Sequence, residues 1–180
     1  MKSIVVASVL TLLIFTGFIM TSNKQEYYQS KGEQLVNNIL GKTTKTIDEK
    51  YNVKSCGVGA AMPGGPIQEL TLCFNTKSPY TKEQLRELLI KSAQELLKQV
   101  NENNEIQEFL KEPPFNLKNV QIVIYNSDIN GREVYDPGIS TAEISQGTLT
   151  YQTVDFAQTF KYKKEIKETF EEALKALSAP

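Results

Sequence analysis

Two thiols and a scatter of carboxylates carry most of the covalent or metal chemistry open to this chain, because none of its 180 residues is histidine. That absence closes Ser-His-Asp and Cys-His catalysis, histidine ligation of zinc or haem, and imidazole pH switching. The thiols, Cys56 and Cys73, flank Met62-Pro63-Gly64-Gly65-Pro66. If that segment turns symmetrically about Gly64 and Gly65, cross-strand partners have numbers summing to 129, and 56 + 73 is 129. Such a pair lies on one sheet face, with Cα atoms about 4.5 Å apart when non-hydrogen-bonded, just inside disulfide range. Closing the loop would stabilise the fold by up to about 3 kcal/mol. The alternatives to a structural disulfide are two reduced, packed thiols, or a redox or metal role. A one-residue change of register breaks the pairing.

The glycines around the turn are the next candidates. Gly57-Val58-Gly59-Ala60-Ala61-Met62 lacks a dinucleotide fingerprint, since Met62 stands where the third glycine belongs and a strand follows instead of a helix. Gly57, Gly59 and Ala61 instead form a flat strip on one face of the hairpin, serving either ordinary packing or a docking groove. The candidate binding surface is Gly57, Gly59, Met62, Pro63, Gly64 and Gly65, with Met62 in an accessible apolar tip. The loop from Asn126 to Glu133 has oxygen ligands at alternating positions and Gly131 sixth, like the start of a calcium loop. Its twelfth position is Pro137 where a bidentate glutamate is needed, so no metal site is assigned. Glu69, Asp128, Glu133, Asp136, Glu143 and Asp155 could supply the two acids of a glycosidase, but so many surface acids always offer some pair. No catalytic residue and no cofactor is assigned.

The elements that position these residues read as α+β. Leu35, Ile39, Thr43 and Ile47 recur every four residues and predict a helix over 30–50. Extended runs at Asn52–Ala61 and Ile67–Thr76 make the hairpin, the second alternating Leu70, Leu72 and Phe74 with polar neighbours. Thr81 and Gln84 form a capping box for a helix from Lys82 to about Val100, with Leu85, Leu88, Leu89, Ser92, Ala93, Leu96 and Val100 inward and Arg86 outward. A short turn around Ile106–Leu110 and a central strand Val120–Tyr125 follow. Thr141–Ser145 and Thr148–Val154 make a second hairpin. Tyr162, Ile166, Phe170, Leu174 and Leu177 align on a C-terminal helix over 160–177. Strands clustered between helices predict a mainly antiparallel sheet with helices on one face.

Residues 1–23 carry one charge, Lys2, and Ile4 to Met20 is almost wholly apolar. A helix over 3–23 rises roughly 30 Å, enough to cross a bilayer core. The run is long for a cleaved signal, and Ser22 preceded by bulky Met20 is a poor cleavage site, which favours a retained anchor over a signal peptide. Both readings export residues 24–180 as one domain, with 24–30 as a short stalk. Twenty basic against 21 acidic residues, with only Arg86 and Arg132 as arginines, argue against a nucleic-acid partner.

The runs GVGAAMPGGPIQELTLCF, LRELLIKSAQELLKQVNENNEIQEFL and PPFNLKNVQIVIY resemble a family of small exported proteins from intracellular bacteria whose members have no assigned function. The resemblance spans roughly Tyr51–Val154 and implies export and a single domain, without assigning site residues. The expected protein is a non-enzymatic binding domain, anchored in the membrane facing outward or secreted once cleaved. Its expected partner is a protein or envelope component. The rival readings are a carboxylate-dependent hydrolase of sugar polymers and a secreted, host-directed effector.

Overall fold

A computed structural model describes residues 30–178. The apolar segment 1–23, and all of the expected stalk except Ser30, lie outside the described residues. The elements in chain order are α1 (Lys31–Tyr51), β1 (Val53–Ala61), β2 (Glu69–Thr76), α2 (Lys82–Asn101), β3 (Val120–Tyr125), β4 (Thr141–Ser145), β5 (Thr148–Asp155), β6 (Gln158–Thr169) and α3 (Phe170–Ser178). The six strands lie in one sheet in the same order, β1 and β6 at its edges. Every neighbouring pair is antiparallel except β2 and β3. Those two are parallel, so the chain must return to the starting end between them, and α2 makes that crossover.

Both long helices start on reciprocal caps. Ser30 Oγ accepts from Glu33 N (3.3 Å) while Glu33 Oε2 accepts from Ser30 N (2.7 Å). Thr81 and Gln84 repeat the arrangement ahead of α2. Val36, Ile39, Leu40 and Ile47 of α1 and Leu85, Leu89, Ala93 and Leu96 of α2 are buried against one sheet face. Leu70, Leu72 and Phe74 of β2 and Val120, Ile122 and Ile124 of β3 meet them from below. Between these, Thr71, Cys73, Gln121 and Val123 alternate onto the other face and are only half-buried. Among the described residues the fold is therefore a two-layer α+β arrangement, with helices on one face and the opposite face open.

Three expectations need correction. The stretch 158–169 is a strand, not the first half of a helix, and only Phe170–Ser178 is helical. The spacing of Tyr162, Ile166 and Phe170 is a multiple of two as well as about one helical turn, so it fits a strand equally. Pairing with β5, where Ile166 lies opposite Tyr151, decides between them. Arg86 is not an outward residue but is 9% exposed. Its guanidinium grips Glu168 of β6 through Nε (2.8 Å) and Nη2 (3.1 Å), and Tyr151 OH donates to the same carboxylate. The third correction, to the register of the first hairpin, belongs to the candidate site.

The long connection after β3 hangs on Asn126, which is buried. Its Oδ1 accepts from Thr76 Oγ1 (3.1 Å) and Tyr80 N (2.9 Å), and its Nδ2 donates to Tyr80 O and Ile139 O. One side chain thus ties β2, the entry to α2 and the exit of the loop together.

Candidate functional site

The residues singled out around the first hairpin fall on the edge strand β1 and its turn. Beyond the turn, Ala61 pairs with Glu69, Gly59 with Thr71 and Gly57 with Cys73, so partner numbers sum to 130. Below it, Ser55 pairs with Phe74 and Lys54 with Asn75, and the sum is 129. The difference is absorbed by a bulge at Cys56, the extra residue of β1. The symmetrical pairing is thereby overturned: Gly57, not Cys56, stands opposite Cys73, and both cysteines are free thiols. Burial raises the pKa of Cys56, and neighbouring Cys73 adds to the rise. Burial also raises that of Cys73. Both stay protonated at neutral pH, which makes them poor nucleophiles.

The tip also differs from the expectation. Pro63, Gly64, Gly65 and Pro66 are exposed, but Met62 is half-buried and packs against the core. Gly64 and Gly65 occupy positive φ (77° and 111°), which only glycine adopts without strain. Gly65 N donates to Met62 O and Gln68 Nε2 to Pro63 O, fixing the turn. Gly57 and Gly59 lie on the open face, where a Cβ would sit 3.7 Å from Cys73 Cβ and 3.6 Å from Thr71 Cβ. These are ordinary contacts, so β2 does not require glycine at either position.

The edge of β1 carries information the composition does not. Ala61 O accepts from Gln68 N, so it points towards β2. Alternation then turns the N–H and C=O of Ala60 and Val58 outward, with no strand beyond them among the described residues. Past the bulge Ser55 also faces out, and its N–H is taken by Asp48 Oδ1 of α1 (2.9 Å). Val58, 51% exposed, forms the floor of a groove with Glu33, Val36, Asn37 and Leu40 of α1 and Met62. The groove encloses about 270 Å³. No charged residue occurs between Lys54 and Glu69.

The six acids do different work. Asp136 and Asp155 are brought together, but around Lys163, whose Nζ lies 2.7 and 3.7 Å from them. Asp128 accepts from the N–H groups of Asn130 (2.8 Å) and Arg132 (2.9 Å). Those bonds, chiefly the one from Arg132, hold its carboxyl below the usual range. The calcium-like loop thus spends its firmest ligand on its own backbone. Glu143 lies on the open face opposite Val123, and Glu69 beside Ala61. Glu133 is exposed, in a bridge with Ser127.

Sequence reasoning missed the outward backbone of Val58 and Ala60, which depends on the bulge and on β1 being an edge. The one available signal was the long uncharged run itself. No protein-family model, curated protein or solved structure matches the chain.

Proposed function

We propose that this chain is a non-enzymatic binding domain held at the cell envelope, and that it engages its partner through the edge of β1. The partner adds an extended strand to the outward N–H and C=O groups of Val58 and Ala60, and sets side chains into the groove beside α1. The observation that carries this reading is the bare edge: apolar or small residues, no proline and no charge from Cys56 to Ala61. An exposed edge of this kind is a template for pairing, and proteins ordinarily block it. The apolar segment 1–23 supports the envelope location. A sugar-polymer hydrolase finds less support, because Asp136 and Asp155 are bridged by a lysine and Asp128 is committed to its loop.

The test places a photo-crosslinking residue at position 58 of the full chain in intact cells, with exposed position 164 of β6 as control. Adducts from 58 and not from 164 are expected. Ala60→Pro removes an outward N–H, so the β1–β2 ladder remains while the adducts are lost. Equal labelling from the two positions would overturn the proposal.

A further inference from the structure

We infer that Cys56 and Cys73 form a reversible disulfide site: oxidation moves the β1 bulge by one residue, from Cys56 to Gly57, and joins the two thiols across the first hairpin. In the structure both thiols are free, the reduced form of the site.

The registers on either side of the bulge make this move small. Val53, Lys54 and Ser55 pair with Thr76, Asn75 and Phe74, and the next step of that register is Cys56 with Cys73. From Val58 to Ala61 the partners run from Leu72 to Glu69. Moving the extra residue to Gly57 leaves all of these pairs intact and exchanges one, Gly57 with Cys73 for Cys56 with Cys73. Ser55 turns its N–H outward to Asp48, so Cys56, next along the strand, turns its own towards β2. A directly opposed, hydrogen-bonded pair has Cα atoms about 5.5 Å apart, a common separation for a disulfide.

The side chains already share a face. Val53 is in the core and Val58 lines the groove beside α1, so both point to the helix side. Their separation is odd, and strict alternation therefore fails once between them, at the bulge, where Cys56 and Gly57 both take the open face. Cys73, between core residues Leu72 and Phe74, lies on that face too. A Cβ on Gly57 would stand 3.7 Å from Cys73 Cβ. Gly57 lets the extra position pass, because it has no side chain to carry from one face to the other and a permissive backbone. Cys56 is exposed, so an external disulfide reaches it. The Cys56 thiolate attacks that disulfide and expels one thiolate; the Cys73 thiolate then attacks the Cys56 sulfur of the mixed disulfide and expels the second. The two cysteine protons end on the two released thiols, and the external disulfide takes both electrons. The site does not depend on what docks at the edge, since Val58 and Ala60 keep their partners in β2.

The experiment equilibrates the full chain with oxidised and reduced glutathione, quenches with acid, and alkylates the remaining thiols before mass spectrometry. A monomer lacking both alkyl groups is expected, with a peptide pair joining Cys56 to Cys73. The bridged chain should have its unfolding equilibrium constant in urea lowered roughly a hundredfold. Gly57→Val should keep the reduced fold, since a Cβ makes only ordinary contacts there, as urea unfolding of the reduced variant checks. Its branched side chain obstructs the moving bulge, and the bridged fraction should fall at least about tenfold. Ser55→Cys in a Cys56→Ser background puts the thiol on the helix side and should not bridge to Cys73. Two alkylated cysteines, a glutathione on each cysteine, bridging by Gly57→Val at the parent's level, or equal bridging from position 55 would each overturn the inference.

Discussion

The sheet has two edges, and they are treated in opposite ways. β6 is twelve residues long and carries Lys161, Lys163, Lys164 and Lys167, all exposed, with register shifts where it passes Thr153 to Asp155. Lysines and irregular pairing are the ordinary means of keeping an edge from recruiting another strand. β1 has one lysine, Lys54, below its bulge, and only small or apolar residues above it. The two edges are also tied to the helical layer differently. β6 is clamped by a buried ion pair, Glu168 to Arg86, whereas on β1 the Ser55 N–H donates to the Asp48 carboxylate of α1. One edge is defended and locked; the other is bare and lightly held. That asymmetry points to the edge of β1 as the working surface.

Breaking the lock on β6 should have the largest effect. Arg86 and Glu168 side chains are 10% and 13% exposed, so removing one partner leaves the other charge buried and unpaired. Arg86→Met is expected to destabilise the chain by about 3–5 kcal/mol in urea unfolding. Replacing the whole cluster, Arg86→Met with Glu168→Leu and Tyr151→Phe, should recover most of that loss, because no polar group is then left without a partner. If the triple variant is as unstable as the single one, the clamp supplies more than compensation for buried charge.

Acid should loosen the same edge. Burial alone would raise the Glu168 pKa, but hydrogen bonds from Arg86 and Tyr151 outweigh it and hold the carboxyl below its ordinary value near 4.5. A carboxylate with a depressed folded pKa contributes stability that is present above the unfolded value and lost as pH falls through the folded one. Thermal unfolding between pH 6 and 3 should therefore show a fall at the acid end that Glu168→Gln flattens. The substitution should also lower stability at pH 6, by removing the charge that Arg86 needs.

The contrast between the edges also explains which parts of the molecule could be read from the sequence. The capping box before α2 and the alternation in β2 are local signals, and local signals give the hairpin, α2, β3 and the second hairpin. The strand at 158–169 was not legible, because spacing shared by strand and helix is resolved only by the unpaired side of β5. Arg86 reads as a surface residue until Glu168 arrives from 82 positions away. Cys56 and Cys73 mislead because a bulge shifts register by one without any mark in the residue types beyond the glycine that follows. The glycine-rich segment was singled out as a binding surface, but from its turn. The outward backbone of Val58 and Ala60 is a property of sheet order, which the residues of β1 alone do not encode.

On the β1 side, the matching cut is smaller. Asp48→Ala leaves Ser55 N–H without its protein acceptor, but the edge is open to water, which can replace it. The expected cost is about 0.5–1.5 kcal/mol in urea unfolding, well below that of Arg86→Met. Hydrogen exchange of Ser55 should accelerate without a matching change at β3. A loss as large as that from Arg86→Met would mean that β1 is not the lightly held edge.

The smallest effect on stability, and the sharpest test of the comparison, comes from removing the guards. Lys161, Lys164 and Lys167 of β6 are exposed, and changing all three to threonine should alter unfolding free energy by no more than about 0.5 kcal/mol per site. Lys163 is left in place because it holds Asp136 and Asp155. What should change is association: the variant, followed by light scattering against concentration, should self-associate more readily than the parent. Adding lysine to β1 at Val58 should do the reverse. If charge on an edge governs pairing, the two substitutions move the molecule in opposite directions from nearly unchanged stability. If removal of the β6 lysines has no effect on association, edge charge is not what distinguishes the two strands, and the uncharged run in β1 loses its meaning as a docking signal.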